Sequence, residues 1–169
     1  MSRRLQRDAI VVGGGVVGTA CALSLAQAGL AVALIEAGEL ARWERDTPDL
    51  RVFAFAPDNA RLLQKLGVWD DIASTRAQPY RHMRVRDAAG GGELHFDADA
   101  LARRELGWII EHSLLAERLW NATARAGVEL LQPATVSGLE QRENSLRLTL
   151  GDGATLDARI AIAADGGNS

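Results

Sequence analysis

The sequence holds one cysteine, so no disulfide can form within it. Cys21 gives no reason to expect an oxidising compartment, and a reducing one is the simpler expectation. Histidine is nearly as sparse. His82, His95 and His112 are scattered and share no ligand spacing with Cys21, so no metal site is expected. A basic excess is missing too. The formal net charge is -3, whereas nucleic-acid binders usually carry a basic face, so nucleic acid is not an expected partner. Internal repeats and low-complexity tracts are absent as well.

What is present suits a globular chain. Hydrophobic residues make up 47% and charged residues 24% of the 169, enough for one domain with a real core. One stretch imitates something else. Ala9 to Ile35 carries no charge and follows Arg3, Arg4 and Arg7, and Ala26-Gln27-Ala28 resembles a small-residue cleavage site. The stretch is, however, far longer than a signal h-region of about 7–15 residues. Gly13-Gly14-Gly15, Gly18 and Gly29 also punctuate it as strand, turn and helix rather than one spanning helix. A soluble, cytoplasmic chain is the expectation.

The apolar run Ile10-Val11-Val12 predicts a buried parallel strand. Val16 to Ala28 predicts a helix stopped by Gly29, and Ala31 to Ile35 a second strand ending at Glu36. Together they form a βαβ unit. Leu40 to Leu50 reads as a loop and Arg51 to Phe55 as a short strand. Pro57 to Leu66 reads as a helix with Leu62, Leu63 and Leu66 on one face and Gly67 as its stop. Arg81 to Arg86 and Glu93 to Phe96, joined by Gly90-Gly91-Gly92, predict a hairpin. Ser113 to Ala126 is an amphipathic helix with Ser113 as N-cap and Leu115, Leu119, Ala122 and Ala126 as its stripe. Strands follow at 128–131, 135–140, 146–150 and 159–164, with a tight turn at Gly151-Asp152-Gly153. Cys21, Trp43, Trp69, Trp108 and Trp120 read as packing residues, and His82 and His95 as structural or exposed.

The sharpest signal is Gly13-x-Gly15-x-x-Gly18 between the first strand and its helix. Gly13 permits a tight turn, Gly15 leaves room for a pyrophosphate, and Gly18 lets helix and strand pack closely. The helix start offers unpaired N–H groups and a positive dipole end to the phosphates. Glu36 closes the second strand about 20 residues on, where a carboxylate accepts hydrogen bonds from an adenosine ribose. That carboxylate would repel the 2′-phosphate of NADP, which leaves FAD or NAD for this pocket. A nicotinamide dehydrogenase usually continues βαβαβ directly after the acid. Here an irregular loop, a helix and a hairpin intervene, which suits a flavin enzyme.

Several segments together resemble the group A flavoprotein monooxygenases, and among them the ubiquinone-biosynthesis hydroxylases. They are Ile10-Val11-Val12-Gly13-Gly14-Gly15-Val16-Val17-Gly18, Asp49-Leu50-Arg51-Val52, Arg61 to Trp69, Pro79-Tyr80, His95-Phe96-Asp97-Ala98, Leu106 to Glu111, and Ala164-Asp165-Gly166-Gly167-Asn168-Ser169. The resemblance implies an α/β fold: a Rossmann-like FAD-binding fold with the βαβ dinucleotide unit and an inserted β-hairpin region, incomplete here. It places Arg51 near the FAD pyrophosphate, Glu111 near the ribityl chain and the backbone of Val136 near the adenine. Asp165 and Gly166 would lie where flavin and nicotinamide phosphates pass. His112 departs from the pattern, standing where this branch often has Asn.

The family's enzymes are longer and carry a second flavin motif after the Asp-Gly pair. The expectation is therefore that residues 1–169 are the N-terminal FAD-binding region of a larger monooxygenase. Residues 80–100 or so would belong to its substrate-domain hairpin, with the C-terminal half missing. The full-length enzyme would use NAD(P)H and oxygen to hydroxylate an aromatic ring of a quinone-precursor polyprenylphenol, and this chain alone would be inactive. A greasy substrate further implies a peripheral place at the inner membrane or in a multiprotein ubiquinone-pathway complex; oligomeric state stays open. Two other readings remain: an NAD-binding dehydrogenase domain, and a non-enzymatic dinucleotide-binding or assembly subunit.

Overall fold

A computed structural model describes residues 7–167. Arg3, Arg4, Asn168 and Ser169 of the expectations above lie outside the described residues. In chain order the elements are β1 (Arg7–Val12), α1 (Val16–Gln27), β2 (Val32–Ile35), β3 (Val52–Phe55), α2 (Pro57–Lys65), α3 (Trp69–Arg76), β4 (Ala77–Tyr80), β5 (His82–Arg86) and β6 (Glu93–Asp97). A 3₁₀ turn at Asp99–Leu101 precedes β7 (Gly107–Glu111), α4 (His112–Arg125), β8 (Glu129–Leu131), β9 (Val136–Gln141), β10 (Leu146–Leu150) and β11 (Thr155–Ala163). The chain divides into two compact units. The first runs to Arg42 and resumes at Ala116; the second is Trp43–Leu115. Among the described residues no helix is long and apolar enough to cross a membrane.

Unit one is built on a six-stranded sheet of order β8-β2-β1-β11-β10-β9. β1 pairs in parallel with β2 and with β11, so Val12 stands beside both Ile35 and Ala163. β10 runs antiparallel to both its neighbours. The pleat sends successive side chains to opposite faces, which explains why the central strands are apolar throughout. Ile10, Ala33 and Ile35 join Leu148, Leu150 and Leu156 in one cluster. Val11, Val32 and Leu34 join Ala22 of α1 and Trp120 of α4 in the other. Each fully buried side chain of this kind contributes about 1.5–3 kcal/mol relative to exposure.

α1 ends as its glycine predicts. Gly29 has φ +85, its N–H donates to the Ala26 carbonyl, and the Leu30 N–H donates to that of Leu25. This pair of hydrogen bonds closes the last turn without a side-chain cap. Gly67 ends α2 in the same way, with Val68 N–H donating to the Leu63 carbonyl.

Unit two holds a three-stranded antiparallel sheet with β7 between β3 and β4, and the separate hairpin β5–β6. In the hairpin Met83 faces Phe96 and Val85 faces Leu94, while His82, Arg84 and Arg86 alternate with them opposite Asp97, His95 and Glu93. Helices α2 and α3 bury Leu63 and Ile72, and the turn that joins them buries Leu66 and Val68.

Four local expectations change. Leu62 is exposed; the inward stripe of α2 is Ala60 and Leu63, because neighbours in a helix point about 100° apart. Residues 69–76 form a helix and 77–80 a strand, neither of which the sequence reading assigned. Ser113 is inside α4 rather than its cap: its N–H donates 2.9 Å to the carboxylate of Asp49, which performs the capping from a distant loop. Ala126 is exposed, and Thr123 takes its place among the buried residues of α4.

Candidate dinucleotide site

The βαβ unit places the three glycines in two kinds of environment. Gly13 has φ +107, and a Cβ there would lie 2.3 Å from the carbonyl oxygen of Ala164. At Gly18 a Cβ would fall 1.9 Å from the Gly13 carbonyl oxygen. These two positions are closed to any side chain. Gly15 is the reverse: a Cβ there would meet nothing within 4 Å. It opens α1 as N-cap in extended conformation, with no side-chain cap and no acid in the first turn. The first N–H groups of the helix are therefore left to an anion from outside.

Glu36 immediately follows β2, beside this loop. Its main chain is fixed on both sides, the N–H donating to the Leu131 carbonyl at 3.0 Å and the carbonyl accepting from Ala134 N–H at 2.9 Å. Its carboxylate accepts hydrogen bonds from the N–H groups of Gly14 (2.5 Å) and Gly38 (2.7 Å). A groove of about 190 Å³ runs past Gly13, Glu36, Ala37, Thr135, Val136 and Asp165. That is less than the roughly 300–1,000 Å³ of a complete ligand pocket, and suits one end of a dinucleotide. An open glycine, an uncapped helix start and a half-buried acid fit the diphosphate and ribose of such a ligand. Gly166, with φ +90, follows Asp165 at the exposed end of β11.

The remaining two sequence-predicted residues belong to unit two. Arg51 immediately precedes β3 and is exposed, with its guanidinium 5.8 Å from the ring of Phe53. Among the described residues no acid pairs with it. Glu111 is different in kind. It is 7% exposed, and both its oxygens are taken: Trp43 Nε1 and Arg76 Nη1 each donate to it at 2.7 Å. A ribityl hydroxyl would have to share one of those oxygens or meet the main chain.

Trp43 is thus not a plain core residue. It lies half-buried near two guanidinium groups, those of Arg76 (5.5 Å) and Arg45 (5.9 Å). His112 lies 5.7 Å from Phe53. Burial pushes its imidazole below the ordinary histidine range, the charge of Arg51 adds to this, and Asp49 opposes it. Burial likewise raises the Cys21 thiol, in keeping with a packing role.

The sequence reading passed over two residues here. Gly14 matters as much as its neighbours, since a Cβ would come within 2.7 Å of the Trp120 ring and 2.8 Å of Glu36. The run Gly13-Gly14-Gly15 was its signal. Asp49 was read only as part of a segment. Its signal was an Asx residue just ahead of a strand, where a side-chain turn to the N–H two residues on is common: its carboxylate accepts from Arg51 N–H at 2.9 Å.

The chain is 38% identical over 161 residues to the 3-demethoxyubiquinol 3-hydroxylase of Escherichia coli (strain K12), covering 94% of this chain and 41% of that protein. It is 33% identical over 163 residues to ubiquinone hydroxylase UbiL of Rhodospirillum rubrum, covering 96% and 38%. The chain therefore spans about two-fifths of the length of these relatives. Among solved structures it is similar to p-nitrophenol 4-monooxygenase of Pseudomonas putida, with TM-score 0.78, 25% identity, and coverage of 97% of this chain and 42% of that one. The anhydrotetracycline hydroxylase OxyS of Streptomyces rimosus shares the fold, with TM-score 0.76 at 19% identity, over 98% of this chain and 33% of its own. The match to the family described as FAD binding domain runs over residues 6–169, and the chain belongs to that family.

Proposed function

We propose that this chain forms the FAD-binding region of a longer hydroxylase that acts on the aromatic ring of a ubiquinone precursor. The observation that carries this reading is the similarity to ubiquinone hydroxylases over 94% of the chain. Membership of an FAD-binding family removes the ground for the nicotinamide-dehydrogenase alternative, and nothing observed favours a non-enzymatic subunit.

In this proposal Gly15 and the start of α1 receive the diphosphate, with Gly13 and Gly18 keeping loop, strand and helix close enough to do so. Glu36 exchanges main-chain donors for ribose hydroxyls. The main chain at Val136 borders the adenine, and Asp165-Gly166 flanks the phosphates. Arg51 adds a charge-assisted contact to the diphosphate, and Glu111 belongs to the ribityl end through its strand. FAD, when bound, supplies the oxygen chemistry, with NAD(P)H as reductant; the chain's own residues bind it and orient it. The hairpin at about 80–100 belongs with the substrate-binding part of the longer protein. A polyprenylated substrate places that protein at a membrane surface or in an assembly of pathway enzymes.

The test is the visible spectrum of the purified chain titrated with FAD, repeated with Glu36→Arg. A bound-flavin spectrum lost in the variant is the expected outcome. Binding that ignores the substitution would remove Glu36 from the site, and the ribose assignment with it.

A further inference from the structure

Arg51 is exposed and immediately precedes the edge strand β3, and its main chain is bonded through both its N–H and its carbonyl. Its N–H donates 2.9 Å to one oxygen of Asp49, and its carbonyl accepts the His112 N–H at 2.8 Å. The second oxygen of Asp49 accepts the Ser113 N–H, again at 2.9 Å. One carboxylate thus ties the Arg51 main chain to the first turn of α4, and a direct bond ties it again. The guanidinium at the end of this mount has no acid partner among the described residues, whereas Arg7, Arg76 and Arg147 each have one. Asp49 itself takes main-chain donors, and its carboxyl is held below the ordinary range by those two N–H groups.

We propose that Asp49 is a positioning residue for anion recognition: by bridging the Arg51 and Ser113 N–H groups it preorganises Arg51 toward a diphosphate. This rests on the reading that Arg51 meets the FAD diphosphate. The physical reason is entropic. A flexible arginine loses rotamer and main-chain freedom on meeting a phosphate, and a fixed main chain has already lost part of it. The two N–H groups each take a different oxygen of the Asp49 carboxylate. Asparagine offers only one.

A merely structural alternative exists, since a carboxylate at the start of α4 stabilises the helix whatever Arg51 does. A double-mutant cycle separates the two. FAD affinity, its salt dependence and the melting temperature of the FAD-free protein are measured for the full chain and for Asp49→Ala, Arg51→Ala and the double variant. Arg51→Ala is expected to weaken FAD roughly tenfold and to flatten the salt dependence. Asp49→Ala is expected to do the same, and the double variant to be no weaker than Arg51→Ala alone. Asp49→Asn, which keeps one acceptor, falls between and carries the cycle if the alanine variant fails to fold. Melting temperatures that drop while FAD affinity and salt slope stay at the parent values would leave Asp49 as a helix cap and overturn the proposal. Losses that multiply in the double variant would overturn it too, since Asp49 would then act by another route. Parent-like binding by Arg51→Ala is a separate result: it defeats the reading of Arg51, and the positioning role falls with it.

Discussion

Glu36 and Glu111 are the same residue type, one just past the C-terminal end of a strand and the other its last residue, and the two units treat them oppositely. Glu36 is half-buried and accepts from the N–H groups of Gly14 and Gly38, two glycines of its own neighbourhood. Glu111 is buried and bound by side chains, a tryptophan and an arginine drawn from other parts of unit two. Main-chain donors at an open groove can be traded for a ligand's hydroxyls at little cost. A buried carboxylate stripped of its guanidinium is left uncompensated, which is expensive. Position in the strand therefore says little about role; the identity and exchangeability of the partners say much.

The sharpest way to break the contrast between open and closed positions lies in the glycine loop. Gly18→Ala forces a Cβ to within 1.9 Å of main chain, and should cost about 3 kcal/mol or prevent folding. Gly15→Ala, with open space around its Cβ, should hold stability to within about 1 kcal/mol while removing FAD binding. Denaturant melts with a flavin titration read both; equal loss of stability in the two variants would contradict the geometry.

Next in size, Glu111→Gln should lower stability by about 1–2 kcal/mol, a figure reduced from buried-pair values because the Arg76 side chain is 38% exposed. Its FAD affinity should change less than that of Glu36→Gln, which should lose roughly five- to tenfold at nearly unchanged stability. A Glu111→Gln variant that melts normally but loses FAD would return Glu111 to the list of flavin contacts.

The smallest effect concerns acid. His112 titrates below its ordinary value of 6.5 in the folded chain. The unfolded state then binds more protons as pH falls through that value, so the native state loses stability on the acid side and keeps it above. His112→Asn should remove this part of the decline. Melting temperatures of both proteins at pH 8 and pH 5.5 would show it, and an unchanged pH slope would exclude His112 as its source.

How much of this was legible in the sequence depends on the range of the interaction. The βαβ unit was readable because its signals are local: an apolar run, a glycine at each punctuation point and an acid at the expected distance. The hairpin and the β-rich end were readable for the same reason. α3 was missed although Asp70 and Asp71 open it and Arg76 closes it, because two turns with Ile72 as the one buried residue give almost no periodicity. The stripe of α2 was misassigned at Leu62, where hydrophobicity was counted without direction. The capping of α4 by Asp49 joins positions 64 apart in sequence, and the Trp43–Glu111 bond positions 68 apart. No local pattern encodes either. The candidate site itself divides along the same line: its glycines and Glu36 were visible as a motif, whereas the buried setting of Glu111 was not.

The Ala164 carbonyl that closes the space around Gly13 also sets an order of events. β1 is made first and β11 last among these strands, and Val12 meets Ala164 through a 2.7 Å main-chain bond. Until β11 has threaded in beside β1, the glycine turn lacks the wall that shapes it. Contacts of such sequence separation form late and slowly. During synthesis the nascent chain would therefore carry the complete phosphate-binding motif well before it could use it. Flavin uptake would report the arrival of β11 beside β1, and cofactor supplied during refolding should act on that pairing rather than on the first collapse.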